Sequence, residues 1–143
     1  MKITSSLTKP SQSTADAIIA AVYSDKKLDD ITQEIDSMVS GKVSQLLKSG
    51  DFKGNSGEVL TLFTVSNKRV VIVGLGKKDK CDLGVLQSAT SSSVKSLVST
   101  PANSVQNYMT AIDFGKLDKE IARKIIAISA ANTTYRYEST KHF

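Results

Sequence analysis

The sequence is short of the residues that most often build metal sites, disulfide frameworks and catalytic triads. Its 143 residues include no tryptophan, two prolines, one cysteine and one histidine. The lone Cys81 excludes an internal disulfide and indicates a reducing compartment, so we expect a cytoplasmic protein. The lone His142 is the penultimate residue, where neither a zinc site nor a Ser-His-Asp or Cys-His arrangement can be built around it. We therefore expect no catalytic residue and no metal ligand in this chain.

Long apolar runs are also missing. The longest, Ala17–Tyr23, has seven residues, whereas a helix that spans a membrane needs about 20. The first residues carry no apolar segment of the kind that a secretory signal contains. With 40% hydrophobic and 23% charged residues, the composition is that of an ordinary folded domain. We find no linker and no repeat, and the sequence predicts one domain over residues 1–143, with no membrane partner.

Positive charge is concentrated in the segment Lys68–Lys80. The net charge is +5, from 19 basic and 14 acidic side chains. In that segment Lys77, Lys78 and Lys80 are candidates for binding an anion or the phosphates of a nucleic acid, a contact that weakens as salt rises. No aromatic side chains alternate with these cations to stack on bases, and most cations of the chain are lysine. A solvated turn is therefore favoured over a DNA-binding face.

Short apolar runs predict the strands. Ala17–Tyr23 and Val70–Val73 are continuously apolar, which is typical of strands covered on both faces. Glu58–Val65 is a third strand, and the turn-forming pair Ser66-Asn67 after it predicts an antiparallel hairpin with Val70–Val73. Two weaker candidates complete the set: Lys2–Leu7 and Ser104–Met109.

Four segments show apolar residues at helical spacing. In chain order these residues are Leu28, Ile31, Ile35 and Met38; Val43, Leu46 and Leu47; Leu83, Leu86, Thr90, Val94 and Leu97; and Leu117, Ile121, Ile125 and Ile128. Gly50 is placed to end the second helix, Asp82 to cap the third, and Asp118 and Glu120 to open the fourth. The order is β-β-α-α-β-β-α-β-α. Buried strands with amphipathic helices predict a three-layer α/β/α fold with a mixed sheet.

A glycine-containing turn, Gly74–Lys77, follows one of the buried strands. Such a turn can cradle a phosphate, but a dinucleotide fingerprint starting at Gly74 needs glycine at position 79, where Asp79 stands. A P-loop needs serine or threonine after the lysine, where Lys78 stands. The sequence therefore favours a tight turn that leaves the sheet.

Three segments taken together carry a family resemblance. Gly50–Glu58, Lys68–Lys77 and Ala130–Tyr137 resemble, in order and spacing, the N-terminal domain of the leucyl aminopeptidases, also called cytosol aminopeptidases, which are the M17 metallopeptidases. The resemblance covers nearly the whole chain. It departs from the family at Tyr137-Glu138, where many relatives carry Phe-Asp.

The resemblance implies a function for a larger protein. It implies that this chain is the non-catalytic N-terminal domain of a cytoplasmic aminopeptidase, whose catalytic domain lies beyond residue 143. That catalytic domain would bind two divalent metals, zinc or manganese, and remove N-terminal residues from peptides. The parent would be a homo-hexamer, and this chain would contribute to its assembly and to active-site access. None of the family's catalytic residues or metal ligands is carried over to this sequence.

Two other functions stay open at this point. The same N-terminal domain resembles the macro domains that bind ADP-ribose, and Asp16–Ala21 resembles their first binding strand. However, Val22-Tyr23 stands where those domains usually place an asparagine-bearing loop. One alternative is therefore a macro-domain-like module that binds ADP-ribose or a nucleotide. The other is nucleic-acid binding through Lys68–Lys80, because some bacterial relatives bind DNA.

Overall fold

Five strands and four helices follow one another in the predicted order. The structure, a computed structural model, describes residues 1–5 and 8–140, with side-chain positions up to residue 136. The strands are β1 Lys2–Thr4, β2 Ala17–Val22, β3 Val59–Phe63, β4 Arg69–Gly74 and β5 Ser104–Asn107, and the helices are α1 Asp30–Met38, α2 Lys42–Ser49, α3 Leu83–Val98 and α4 Lys119–Thr140. Short 3₁₀ turns occupy Pro10–Gln12, Lys78–Lys80 and Met109–Ala111. Within the described residues, no helix combines the length and the apolarity needed to cross a membrane.

The strands form one mixed sheet in the order β1-β5-β2-β4-β3. The pairs β1–β5, β5–β2 and β2–β4 are parallel, and β3 runs antiparallel to β4 at the edge. The β3–β4 hairpin turns where the sequence predicts it. The Thr64 amide donates to the Lys68 carbonyl at 3.0 Å, and Asn67 has a φ of 65°, a left-handed conformation that asparagine tolerates well. The predicted hairpin is confirmed.

Both faces of the sheet are covered by helices. On one face Ile19, Val71 and Val73 share a buried cluster with residues of α3 and α4. On the other face Ile18, Val70 and Ile72 share a second cluster with residues of α1 and α2. Because successive side chains of a strand point to opposite faces, β2 and β4 contribute to both clusters. The predicted three-layer α/β/α architecture is confirmed.

Aspartate side chains cap three of the helices, because their carboxylates accept first-turn amides that have no partner within the helix. The hydrogen bonds are Thr32 amide to Asp29 at 2.8 Å, Val85 amide to Asp82 at 2.8 Å, and Glu120 and Ile121 amides to Asp118 at 2.9 and 3.1 Å. Gly50, with a φ of 86°, ends α2. The predicted cap at Asp82, the start of the fourth helix at Asp118 and Glu120, and the stop at Gly50 are confirmed.

Four strands are shorter than predicted, β2 by one residue, because it ends at Val22. β5 ends at Asn107, whereas Met109 lies in a 3₁₀ turn, because the Asn107 side chain accepts the Met109 amide at 2.9 Å and turns the chain. β3 covers Val59–Phe63 within the predicted 58–65. β1 ends at Thr4, and residues 6 and 7 of its predicted range lie outside the described residues.

The predicted fourth helix is confirmed, but its apolar spacing does not mark its buried face. The sequence places Leu117, Ile121, Ile125 and Ile128 at helical spacing. The structure buries Ala122, Ile126 and Ala130, and leaves Ile121 and Ile128 50% and 55% exposed. Small side chains on the buried face let α4 lie close to α3, and the Thr133 hydroxyl donates to the Ser91 hydroxyl at 3.1 Å. Close packing of α4 against α3 is therefore favoured over the burial of the larger side chains Ile121 and Ile128.

Alanine substitutions on the two faces of α4 test this assignment. Ile126→Ala should lower the free energy of unfolding by about 2–5 kcal/mol, because it leaves a cavity between α4 and the sheet. Ile128→Ala should change it by no more than about 0.5 kcal/mol, because the residue lies on the surface. Urea denaturation of both variants measures the difference. Equal losses, or a larger loss for Ile128→Ala, would contradict the observed face.

Candidate functional site

The crevice at the carboxyl ends of the parallel strands is the first place to look for a binding site, because open α/β sheets bind ligands there. In this chain it holds a cavity of about 210 Å³, with Tyr23, Lys78, Ile112 and Asp113 in its lining. A second cavity of about 390 Å³ adjoins it and shares Ile112 and Asp113. Pockets for small organic ligands usually measure roughly 300–1,000 Å³. The cavity beside Tyr23 is therefore small for a nucleotide-sized ligand, whereas the second lies within that range.

An ion pair and a phenol narrow the crevice. The Lys78 ammonium lies 2.6 Å from the Asp113 carboxylate and 5.8 Å from the centre of the Tyr23 ring. The Tyr23 hydroxyl donates to the Asp113 backbone carbonyl at 2.7 Å. These contacts join the end of β2, the turn after β4 and the segment after β5. The predicted anion-binding Lys78 already holds a carboxylate, and its partners Tyr23 and Asp113 were missed by the sequence reasoning.

The electrostatics of this cluster do not activate a nucleophile. The Lys78 hydrogen bond and the Gly115 amide hold the pKa of Asp113 below its ordinary value of 3.8. Burial raises the pKa of the Tyr23 hydroxyl, and burial also raises the pKa of the Cys81 thiol. A protonated thiol is a poor nucleophile, and a neutral phenol donates only the hydrogen bond described above. The cluster is suited to holding three segments together.

The other two predicted cations lie on the exposed turn that contains Lys78. Lys77 precedes the 3₁₀ turn Lys78–Lys80, and Lys80 ends it, so the structure does bring the three together on one short segment. Both Lys77 and Lys80 are exposed. Binding of an anion or a nucleic acid by this turn stays a prediction.

The turn Gly74–Gly76 is packed against another loop. The Gly74 amide donates to the Glu58 carbonyl at 2.8 Å, and the Gly76 amide donates to the Gly54 carbonyl at 2.9 Å. A Cβ atom at Gly74 would lie 2.2 Å from the Asn55 carbonyl oxygen, so only glycine allows this approach. Because these two amides are already bonded, they are not available to a phosphate. The turn is structural, as the sequence favoured.

Asp16 lies at the other end of the sheet. It precedes β2, and its carboxylate accepts the Asn103 and Ser104 amides at 2.9 and 3.2 Å, bonds that lower its pKa. The register pairs Val22 with Gly74, so Asp16 and that turn are separated by the length of β2, about 20 Å. Asp16 and the Gly74–Gly76 turn therefore do not belong to one site, and Asp16 instead ties β2 to β5.

The metal ligands implied by the resemblance have no counterpart in the described part of the chain. There, no three His, Cys, Asp or Glu side chains lie close enough together to hold a metal ion. The residues do not fit a two-metal centre, and we derive no metal-dependent step from them.

The surface of α4 carries a row of large exposed side chains, which the sequence analysis did not single out as a surface. Ile121, Ile128 and Tyr135 stand seven residues apart and are 50%, 55% and 78% exposed. Ile125, which is half-buried, and the exposed Asn132 lie between them. We call these five residues the α4 outer stripe. The seven-residue spacing could have indicated it, because residues that recur in this way mark the contact seam of paired helices.

An open, mostly parallel sheet with two helices on each face defines the class of this chain as a macro-like α/β/α domain. Two solved structures share the fold. The macrodomain of Mycobacterium tuberculosis DarG superposes with a TM-score of 0.70 at 13% identity, covering 91% of this chain and 90% of that one. A tomato leucine aminopeptidase mutant superposes with a TM-score of 0.72 at 20% identity, covering 94% of this chain and 28% of that one.

The family follows from the sequence comparisons. The model of the cytosol aminopeptidase family, N-terminal domain, matches residues 19–142, and the chain belongs to that family. It is 35% identical over 137 residues to a probable cytosol aminopeptidase of Nitrosococcus oceani, an alignment that covers 92% of this chain and 27% of the relative. The chain thus spans about a quarter of that relative's length. The resemblance drawn from the three segments is confirmed.

Removing the ion pair tests the electrostatics of the crevice. Lys78→Met should raise the pKa of Asp113 towards 3.8, whereas the pKa of Asp16 should not move, because backbone amides lower it. A lowered carboxyl pKa means that the stabilising contribution is complete above the ordinary pKa and is lost as the pH falls through the lowered value. In the variant this contribution should therefore be smaller, and the pH at which it is fully lost should be higher. NMR titration of both carboxyl groups measures the shifts, and an unchanged Asp113 would contradict the pairing.

Proposed function

We propose that this chain is the non-catalytic N-terminal domain of a cytoplasmic two-metal leucyl aminopeptidase. Its role is to help assemble a homo-hexamer and to shape access to the active sites. A catalytic domain encoded beyond residue 143 binds the zinc or manganese ions and the peptide substrates. The family match over residues 19–142 and the 27% coverage of the Nitrosococcus oceani relative support this division of labour.

The observation that carries the proposal is the α4 outer stripe. Three large side chains of this stripe are half or more exposed, along about four turns of α4. Exposed large side chains that recur along one face of a helix suit a contact with another protein or domain better than singly scattered ones do. Their seven-residue repeat suits a partner helix, whose side chains would pack between them. We assign this surface to contact with the catalytic domain of the same protein.

The first test concerns the chain alone. Purified residues 1–143 should release no leucine from a chromogenic leucine amide with manganese or zinc present, because the described residues hold no set of metal ligands. The control is the same assay with metal and substrate but no protein. Metal-dependent turnover above this control would contradict the non-catalytic role.

The second test concerns the contact with a catalytic domain. The gene should encode, beyond codon 143, a domain with clustered Asp, Glu and Lys residues. In that longer protein Ile128→Lys should speed the release of this domain by limited proteolysis about tenfold, since a lysine in an apolar contact costs roughly 1–2 kcal/mol or more. Gln87→Lys, which adds the same charge on the exposed face of α3, is the matched control.

Two results would overturn this assignment. One is a gene that ends at codon 143. The other is a proteolysis rate that Ile128→Lys and Gln87→Lys leave equally unchanged in the longer protein.

A further inference from the structure

The outer edge of β3 has no strand beside it in the described part of the chain. There, β3 pairs only with β4. The Thr64 amide bonds to Lys68, and the Gly74 amide bonds to Glu58, so the even-numbered residues of this strand direct their backbone groups towards β4. In an antiparallel pair these directions alternate. The amides and carbonyls of Val59, Thr61 and Phe63 therefore point outward, away from the rest of the sheet.

This edge lacks the features that usually prevent strand pairing. From Val59 to Val65 the chain contains no charge and no proline, and Val59, Phe63 and Val65 are 38%, 51% and 95% exposed. Native proteins usually protect an edge with a lysine, a proline or a bulge, or by keeping the strand short. The opposite edge is protected in this way, because β1 has only three residues and begins with Lys2. The free edge of β3 is thus built for a partner strand.

We propose that a second copy of this chain pairs with β3 in antiparallel orientation, with Thr61 on the two-fold axis. This register places Thr61 opposite Thr61 of the second copy and Val59 opposite Phe63. The backbone groups of Val59, Thr61 and Phe63 in each strand then lie opposite those of Phe63, Thr61 and Val59 in the other. Every outward amide can therefore donate to a carbonyl of the second copy. The two five-stranded sheets join into one of ten strands.

The side chains and charges favour this partner. In the two-fold register Val59 meets Phe63 on one face and Leu60 meets Leu62 on the other, and apolar cross-strand pairs of this kind stabilise sheets. A two-fold contact uses the same surface on both copies, so its register must match itself, as this one does. The strand brings no charge into the contact, although each copy carries +5.

The nearest cation is also well separated from its counterpart. Arg69 lies over the Phe63 ring, 5.4 Å from its centre. With strands about 4.8 Å apart and a rise of about 3.3 Å per residue, the two Arg69 side chains start about 20 Å from each other. That distance exceeds the Debye length of about 8 Å at physiological salt. Repulsion between the copies at this edge is therefore weak.

Pairing through β3 would supply one of the contacts that the proposed hexamer needs. Only this link to the hexamer rests on the proposed function. The pairing itself involves residues 59–63 of two identical chains. It can be measured on residues 1–143 without any catalytic domain. A failure of one proposal is therefore distinguishable from a failure of the other.

A charge-swap experiment at Thr61 tests the pairing. Thr61 is exposed, so substitution should leave folding intact, which thermal unfolding checks for each variant. Sedimentation equilibrium over about a hundredfold range of concentration should show a monomer–dimer equilibrium for the native chain. Thr61→Lys and Thr61→Glu should each weaken it at least about tenfold, because like charges then face each other on the axis. An equimolar mixture of the two variants should restore the dimer, and Thr61→Val should keep it.

Each other outcome overturns the proposal. A native chain that stays monomeric throughout the range has no self-pairing edge. A dimer that neither charged variant weakens uses another surface, such as the α4 outer stripe. Weakening without rescue in the mixture excludes the register centred on Thr61. If the monomer instead binds an extended peptide added in trans, the edge serves a different partner.

Discussion

The burial of β2 on both faces is the constraint on which the rest of the structure depends. All six residues of Ala17–Val22 are buried, with exposures of 0–4%, and none carries a polar side chain. Ala17, Ile19 and Ala21 face α3 and α4, and Ile18, Ala20 and Val22 face α1 and α2. A strand covered in this way leaves its ends as the only exposed parts, so ligand chemistry is restricted to the ends of the sheet.

In this chain, polar side chains at both ends of the sheet hold separate segments together. At the carboxyl end Lys78, Asp113 and Tyr23 join three segments across the crevice. At the amino end Asp16 joins the start of β2 to the start of β5. A macrodomain of known structure shares the fold at 13% identity, but a fold can be shared without its site. Here Lys78, Asp113, Tyr23 and Asp16 are already paired with other parts of the chain.

Local patterns predicted the strands and caps, because those features depend on neighbouring residues. The β-branched side chains of Val70–Val73 predict a buried strand, and the position of Asp82 before an apolar stripe predicts a helix cap. The buried face of α4 could not be predicted in this way, because isoleucines lie on both faces of the helix. Packing against α3 places the face of Ala122, Ile126 and Ala130 in the core. The Lys78–Asp113 pair joins residues 35 positions apart, which no local pattern indicates.

The α4 outer stripe reaches the β1 edge of the sheet at Tyr135, whereas β3 forms the opposite edge. At the β1 edge α4 lines a groove together with Met1 and Ile3, and β3 lies beyond β4. The α4 outer stripe and the β3 edge can therefore be occupied at the same time. A domain that contacts its own catalytic domain through α4 would keep β3 free for an identical neighbour. Because a two-fold contact closes on itself, pairing through β3 would join two copies and then stop, and a larger ring would need a second kind of contact from the catalytic domains.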